Sequence, residues 1–139
     1  MKAFLDSSAI LKVLKKEEGY PKAVERLNAI RDGQDQGHTD SIAIGEIVYA
    51  FLSRGLSDEA VMARAYIAGI PNLNIVEEIT SSIGHRAAEL KRKYFKRSEK
   101  TFFSLYDGVH LAIAERYCDV FLTADSDFEK VTELRVEFV

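Results

Sequence analysis

Met1-Lys2-Ala3-Phe4-Leu5-Asp6-Ser7-Ser8 is a short apolar run that stops abruptly at a carboxylate and two hydroxyls. Near the other end of the chain, Val120-Phe121-Leu122-Thr123-Ala124-Asp125-Ser126-Asp127 does the same. Apolar runs of this length bounded by turn formers read as strands buried on both faces. In a parallel sheet the strand exits share one edge, and that edge is where open α/β sheets bind ligands. The two stretches therefore predict a sheet with acid at two of its exits.

Working outward, residues 2–5 form the first strand. Ser7 to Lys16 reads as a helix, with Ala9, Ile10, Val13 and Leu14 at helical spacing. Gly19 ends it, and Pro21 suits the first turn of a second helix running to about Asp32. Gly33 to Gly37 is a polar loop before a very short strand, His38 to Asp40. Ser41 to Arg54 is helical, carries Glu46 in its first half and closes at Gly55. Ser57 caps the next helix, which ends near Gly69-Ile70-Pro71. Leu73 to Val76 is a third strand, followed by a long amphipathic helix from Thr80 or Ser81 to about Arg97. A helix from Ser104 to Tyr117 leads into the fourth strand, 120–123. Ser126 and Glu129 form a capping box for a short helix, and 136–139 is a terminal strand. Helices separate nearly all strands, which favours a mainly parallel sheet covered on both faces.

The chain of 139 residues is read as a single domain over 1–139. Its one cysteine, Cys118, excludes an internal disulfide and any multi-cysteine zinc motif. No apolar stretch approaches the roughly 20 residues of a membrane span, and the N-terminus lacks a signal-peptide layout. A cytoplasmic protein without a membrane partner is expected. The net charge of −3 excludes a globally cationic nucleic-acid binder but leaves room for a basic face.

Four carboxylates stand out by position: Asp6, Glu46, Asp107 and Asp125, with Asp127 as a fifth. Each has a plain alternative. Asp6 reads also as a helix cap, Asp125 as turn chemistry, Asp107 as half of a capping box with Ser104, and Glu46 as a surface residue. Two glycines weigh against the plain readings. Gly45 precedes Glu46 and Gly108 follows Asp107, and a glycine inside a helix costs about 1 kcal/mol relative to alanine. Room beside a carboxylate, or close packing against a strand, accounts for such a cost. Four converging carboxylates repel one another unless a cation joins them. Hard oxygen donors without thiols or paired histidines suit Mg²⁺ or Mn²⁺, ions that serve phosphoryl chemistry.

Taken together, Leu5-Asp6-Ser7-Ser8, Glu46, Asp107-Gly108-Val109-His110-Leu111-Ala112-Ile113-Ala114 and Leu122-Thr123-Ala124-Asp125-Ser126-Asp127-Phe128 resemble the PIN-domain nucleases. The set is most similar to the small VapC-type toxins of toxin–antitoxin pairs, over essentially the whole chain. The resemblance implies a three-layer α/β/α sandwich with a mainly parallel sheet of about five strands. It also implies a Mg²⁺ or Mn²⁺ site and endonucleolytic cleavage of single-stranded or structured RNA. Carried over by position, Asp6, Glu46, Asp107 and Asp125 are the metal-binding and catalytic acids. Asp127 adds to the site, and Ser8 and Thr123 support it by hydrogen bonds. Gly108 departs from the alanine common in the family. The partners expected are RNA, an antitoxin protein and a second copy of the chain.

Lys91-Arg92-Lys93-Tyr94-Phe95-Lys96-Arg97, followed by Lys100, is the densest positive run, with aromatics interleaved. Its cations Lys91, Arg92, Lys93, Lys96 and Arg97 are candidate RNA contacts; a solvated helix face is the alternative. His110 follows Asp107 by one helical turn and reads either as packing or as a donor to a metal-bound carboxylate. The apolar helices at 43–54 and 57–69, with Val61, Met62, Tyr66 and Ile67, supply core or a partner-binding face. Two other functions compete: a receiver-like phosphoacceptor domain, and a non-catalytic PIN-fold module for RNA binding or oligomerisation. A receiver would carry adjacent acids after the first strand and a lysine after a late one, where this chain has serines and Thr-Ala-Asp.

Overall fold

The computed structural model describes residues 1–139. In chain order the elements are β1 (Lys2–Leu5), α1 (Ser7–Leu14), α2 (Tyr20–Arg31), β2 (Gln36–Asp40), α3 (Ser41–Leu52), α4 (Ser57–Ala68), β3 (Leu73–Val76), α5 (Ser81–Tyr94), α6 (Leu105–Tyr117), β4 (Val120–Thr123) and β5 (Arg135–Phe138). Short 3₁₀ turns at Arg97–Glu99 and Ser126–Phe128 precede α6 and follow β4.

All strand pairs are parallel, so the sheet is wholly rather than mainly parallel, in the order β3-β2-β1-β4-β5. A receiver-like sheet has the order 2-1-3-4-5, and this topology sets that alternative aside. The chain winds outward from β1 to β3, then crosses to the other side of β1 for β4 and β5. The switch lies between β1 and β4, where Leu5 pairs with Leu122.

Strand alternation builds the three layers. Ala3, Leu5, Val120 and Leu122 point to one face and pack with Ile10, Leu27, Ile47 and Ile67 of α1 to α4. Phe4 and Phe121 point to the other face, stacked with ring centroids 5.3 Å apart, and pack with α5 and α6 through Leu90, Leu111 and Ile113. No helix is long and apolar enough to cross a membrane.

Several local expectations shift. β2 begins at Gln36, inside the stretch read as loop, because the edge of β1 offers its backbone partners: the Gln36 N–H donates to the Met1 carbonyl. Leu56, not Ser57, holds the N-cap position of α4, with no side-chain bond. The turn after β4 is capped by Asp125, whose carboxylate accepts from the Asp127 N–H, so no Ser126–Glu129 box forms. α5 stops at Tyr94, where the chain turns into a bridge between Lys96 and Thr101.

Candidate active site

The exits of β1 and β4 make one half of the site. The Asp6 N–H donates to the Leu122 carbonyl at 3.0 Å, carrying the strand pairing one residue past β1. Asp6 holds the N-cap position of α1, yet its side chain makes no capping bond. The buried carboxylate instead accepts from Ser8 Oγ at 2.5 Å and Thr123 Oγ1 at 2.9 Å. Both bonds end on Oδ2, and neither uses Oδ1. Thr123 Oγ1 also accepts from the Asp125 N–H at 3.0 Å, and Ser8 Oγ from the Ala124 N–H at 2.9 Å. The two hydroxyls thus tie both strand exits into one unit.

Two helices and the exit of β2 make the other half. Asp40 ends β2 fully buried, and its Oδ1 caps α3 by accepting from the Ala43 N–H at 2.7 Å. Its Oδ2 lies 2.7 Å from His110 Nδ1 on α6, and His110 Nε2 lies 2.7 Å from Glu46 Oε1 on α3. An ionised carboxylate only accepts hydrogen bonds. His110 therefore donates from both nitrogens and carries a charge. Burial works against that charge, but the bonds to Asp40 and Glu46 outweigh it and push its pKa up to about 10.

The remaining acids border these halves. Asp107 forms the expected capping box, accepting from the Ser104 N–H at 2.6 Å through Oδ2. Burial pushes its pKa up to about 6; the Ser104 bonds oppose the rise and the Asp6 charge adds to it. Asp125 is also raised, first by burial, with Asp127, Asp6 and Glu46 contributing their charge against the pull of the Asp127 N–H. Donor atoms of Asp6, Glu46 and His110 lie within 4.8 Å of one another. Asp107 and Asp125 stand outside that tight group while feeling the charge of Asp6. Asp127 turns to the loop before α6, where its Oδ1 accepts from the Phe102 N–H at 3.1 Å.

The donor set fits a hard divalent cation. Asp6, Glu46, Asp107 and Asp125 each commit one oxygen to the scaffold, Oδ2, Oε1, Oδ2 and Oδ1 respectively. Burial is the first cause that raises Asp107 and Asp125, and the like charges that add to the rise are ones a cation would offset. His110 fits as the group that orients Glu46 rather than as a ligand, since both its nitrogens carry hydrogen.

The PIN domain family model matches residues 3–134. The chain belongs to the PIN domain family. PIN domains are nucleases, and the sheet described above is shared with solved structures of that fold. VapBC2 from Rickettsia felis, bound to a DNA fragment from its promoter, aligns with a TM-score of 0.74 at 14% identity, over 99% of this chain and 98% of the other. DNA-bound VapBC from Salmonella typhimurium gives 0.71 at 18% identity, over 99% and 98%. VapC20 from Mycobacterium tuberculosis, a sarcin–ricin-loop-cleaving toxin, gives 0.69 at 18% identity, over 96% and 98%. No curated protein matches the chain in sequence.

Within this PIN domain, Asp40 is the neighbour of the acid group that the sequence did not reveal. In the sequence it reads only as the last residue of a short strand, and the structure makes it the N-cap of α3. Its second role depends on His110, 70 positions away. Gly108 is explained by packing, against a helix rather than a strand: a Cβ there would meet the Ala87 carbonyl oxygen of α5 at 2.4 Å. Gly45 does have open space beside it. Lys91, Arg92, Lys93, Lys96 and Arg97 are exposed at and beyond the end of α5, with Lys93 paired to Glu133 at 2.6 Å.

Proposed function

We propose that this PIN domain is a divalent-metal-dependent endoribonuclease and the toxin of a VapBC-type pair. The observation that carries the reading is the position of Asp6. It lies at the β1–β4 switch point with Oδ1 unused, and a carboxylate oxygen of Asp6 is within 4.8 Å of one of Glu46. Asp6, Glu46, Asp107 and Asp125 would hold Mg²⁺ or Mn²⁺, with Ser8 and Thr123 fixing Asp6; Asp127 supports the set from its bond to the α6 loop. A bound divalent ion supplies water activation and offsets charge on the phosphodiester. His110 holds Glu46 in place, and the exits of β1 and β4 hold Asp6 and Asp125 on a common edge. Lys91, Arg92, Lys93, Lys96 and Arg97 would meet phosphates of the substrate.

Two protein partners belong to the same reading. Tyr49, Leu52, Val61, Met62 and Tyr66 of α3 and α4 are exposed apolar side chains, with Tyr49 at 70% and Met62 at 68%. Ile67, by contrast, is core. A second copy of the chain and an antitoxin segment are the partners this face suits.

The test is cleavage of RNA by the purified chain with Mg²⁺, with Mn²⁺ and with EDTA. Asp6→Asn is expected to reduce the rate by roughly 10²–10³-fold, and EDTA to abolish it. Full activity in Asp6→Asn, or activity untouched by EDTA, would leave a non-catalytic PIN-fold module as the reading. Co-purification of an inhibitory small protein encoded beside it tests the toxin assignment separately.

A further inference from the structure

The segment joining α5 to α6 carries a feature that cleavage chemistry does not use. Lys96 and Thr101 pair as an antiparallel bridge, each N–H donating to the other's carbonyl at 3.0 Å. The Arg97–Glu99 turn closes this loop, and Lys130 Nζ holds it through Glu99 at 2.8 Å. At its root the flanking residues, Phe95 and Phe102, meet edge to face with ring centroids 6.5 Å apart. Both rings are open to solvent, Phe102 at 56%, and Tyr106 on the first turn of α6 is 55% exposed. Lys91 Nζ sits 5.6 Å from the centre of the Phe95 ring.

Burial does not explain this group. Phe103, the next residue, is fully buried against Tyr94 and Phe128, so the core has its aromatic from this segment already. Positive charge predominates around the rings, over Asp127 on the Phe102 N–H and Glu99 paired to Lys130. Lys91, Arg92, Lys96, Arg97 and Lys100 are exposed and form no ion pairs, in a chain whose net charge is −3. The segment is also continuous with the site. The Phe102 N–H donates to Asp127, and Phe102 precedes Asp107 by five residues, which span at most roughly 18 Å.

We infer that Phe95, Phe102 and Tyr106 form a stacking platform for the unpaired nucleobases of the RNA, rimmed by cations that take the adjoining phosphates. The inference rests on the ribonuclease reading for its ligand, and its residues lie outside the acid set. An aromatic face stacks on a base that is splayed out, which a base inside a helix is not. The cations serve either form of RNA, since both present phosphates. Discrimination therefore resides in the rings and bulk affinity in the lysines and arginines.

Binding on an inactive background tests this apart from cleavage. Asp6→Asn protein in EDTA is titrated into a fluorescein-labelled single-stranded RNA oligonucleotide and into the same strand annealed to its complement, with anisotropy as the readout. Tighter binding to the single strand is expected. Phe102→Ala should weaken that binding roughly tenfold or more and leave duplex binding unchanged, with Phe102→Tyr restoring it. Arg97→Ala should weaken both and reduce the dependence on salt. Equal losses for the two RNAs in Phe102→Ala, or no loss in a variant whose melting temperature is unchanged, would overturn the platform. If the platform fails while the wild type still cleaves RNA, the nuclease reading stands alone. If the selective loss is seen but no RNA is cleaved, the platform stands and the catalytic reading falls. Displacement of an acidic peptide by the same Phe102→Ala change, without an effect on RNA, would assign the rings to a protein partner and overturn the inference.

Discussion

The two halves of the site are held in opposite ways. At the exits of β1 and β4, a buried carboxylate is fixed by neutral hydroxyls: Asp6 by Ser8 and Thr123. Between α3 and α6, Glu46 is fixed by a buried ion, His110, whose charge is balanced by Asp40. A hydrogen bond to an ionised group contributes about 1.5–3 kcal/mol, and with one hydroxyl removed Asp6 keeps the other. A buried ion pair contributes little net stability, but breaking it strands a charge and costs about 3–5 kcal/mol. The helix half should thus be fragile where the strand half is tolerant.

The sharpest way to break this contrast is His110→Ala. It leaves Asp40 buried without its partner and is expected to destabilise the fold by about 3–5 kcal/mol, read by urea denaturation. The pH dependence follows from the raised pKa. Folding gives His110 a pKa of about 10, above that of an unfolded histidine, so its contribution is complete below about pH 6.5. It is lost as pH rises towards about 10. Metal-free wild type should therefore lose stability between pH 7 and 9, a range below the burial-raised thiol of Cys118. His110→Ala should show a flatter profile there; an identical slope in both would remove the charge from His110.

Gly108→Ala probes the seam between α5 and α6 next to Asp107. The methyl group gains about 1 kcal/mol of helix propensity. It would also meet the Ala87 carbonyl oxygen at 2.4 Å, which forces the helices apart. Overpacking against backbone costs about 1–3 kcal/mol, and net destabilisation is expected in thermal melts. Thr123→Val probes the strand half. It removes the donor to Asp6 and the acceptor of the Asp125 N–H while keeping the volume. A loss of about 1.5–3 kcal/mol and about tenfold in cleavage is expected, smaller in stability than at His110. A larger loss there would reverse the comparison.

The same division separates what the sequence made legible from what it hid. Phe4-Leu5-Asp6-Ser7-Ser8 and Leu122-Thr123-Ala124-Asp125 announced strands and acidic exits, because those signals are local; the bond from Thr123 to Asp6, 117 positions apart, was implied only by the family resemblance. The unbroken apolar run and the helices between strands also foretold a sheet covered on both faces. Asp40 stayed hidden because it carries no local signal beyond the end of a short strand; only the sheet order brings β2 to α6 and His110. β2 was read too short for a similar reason. Gln36 and Gly37 are poor strand formers, and they pair because Met1 and Asn72 lie on either side of them.

Gly45 offers the smallest effect and the cleanest control on Gly108. Both glycines sit in helices beside a candidate acid, and their sequence cost is the same. Only Gly108 has a packing reason. At Gly45, on the exposed side of α3, an added Cβ meets nothing within 4 Å. Gly45→Ala should therefore gain the full propensity term and stabilise the chain by about 0.4–1 kcal/mol. For a domain of this size that is a rise in melting temperature of roughly 2–4 °C. Opposite signs at two helical glycines would show that backbone approach, not composition, decides what each is for. A fall in melting temperature for Gly45→Ala would mean that α3 needs a freedom at Glu46 that alanine removes. The carboxylate would then be held less firmly by His110 than the 2.7 Å contact requires.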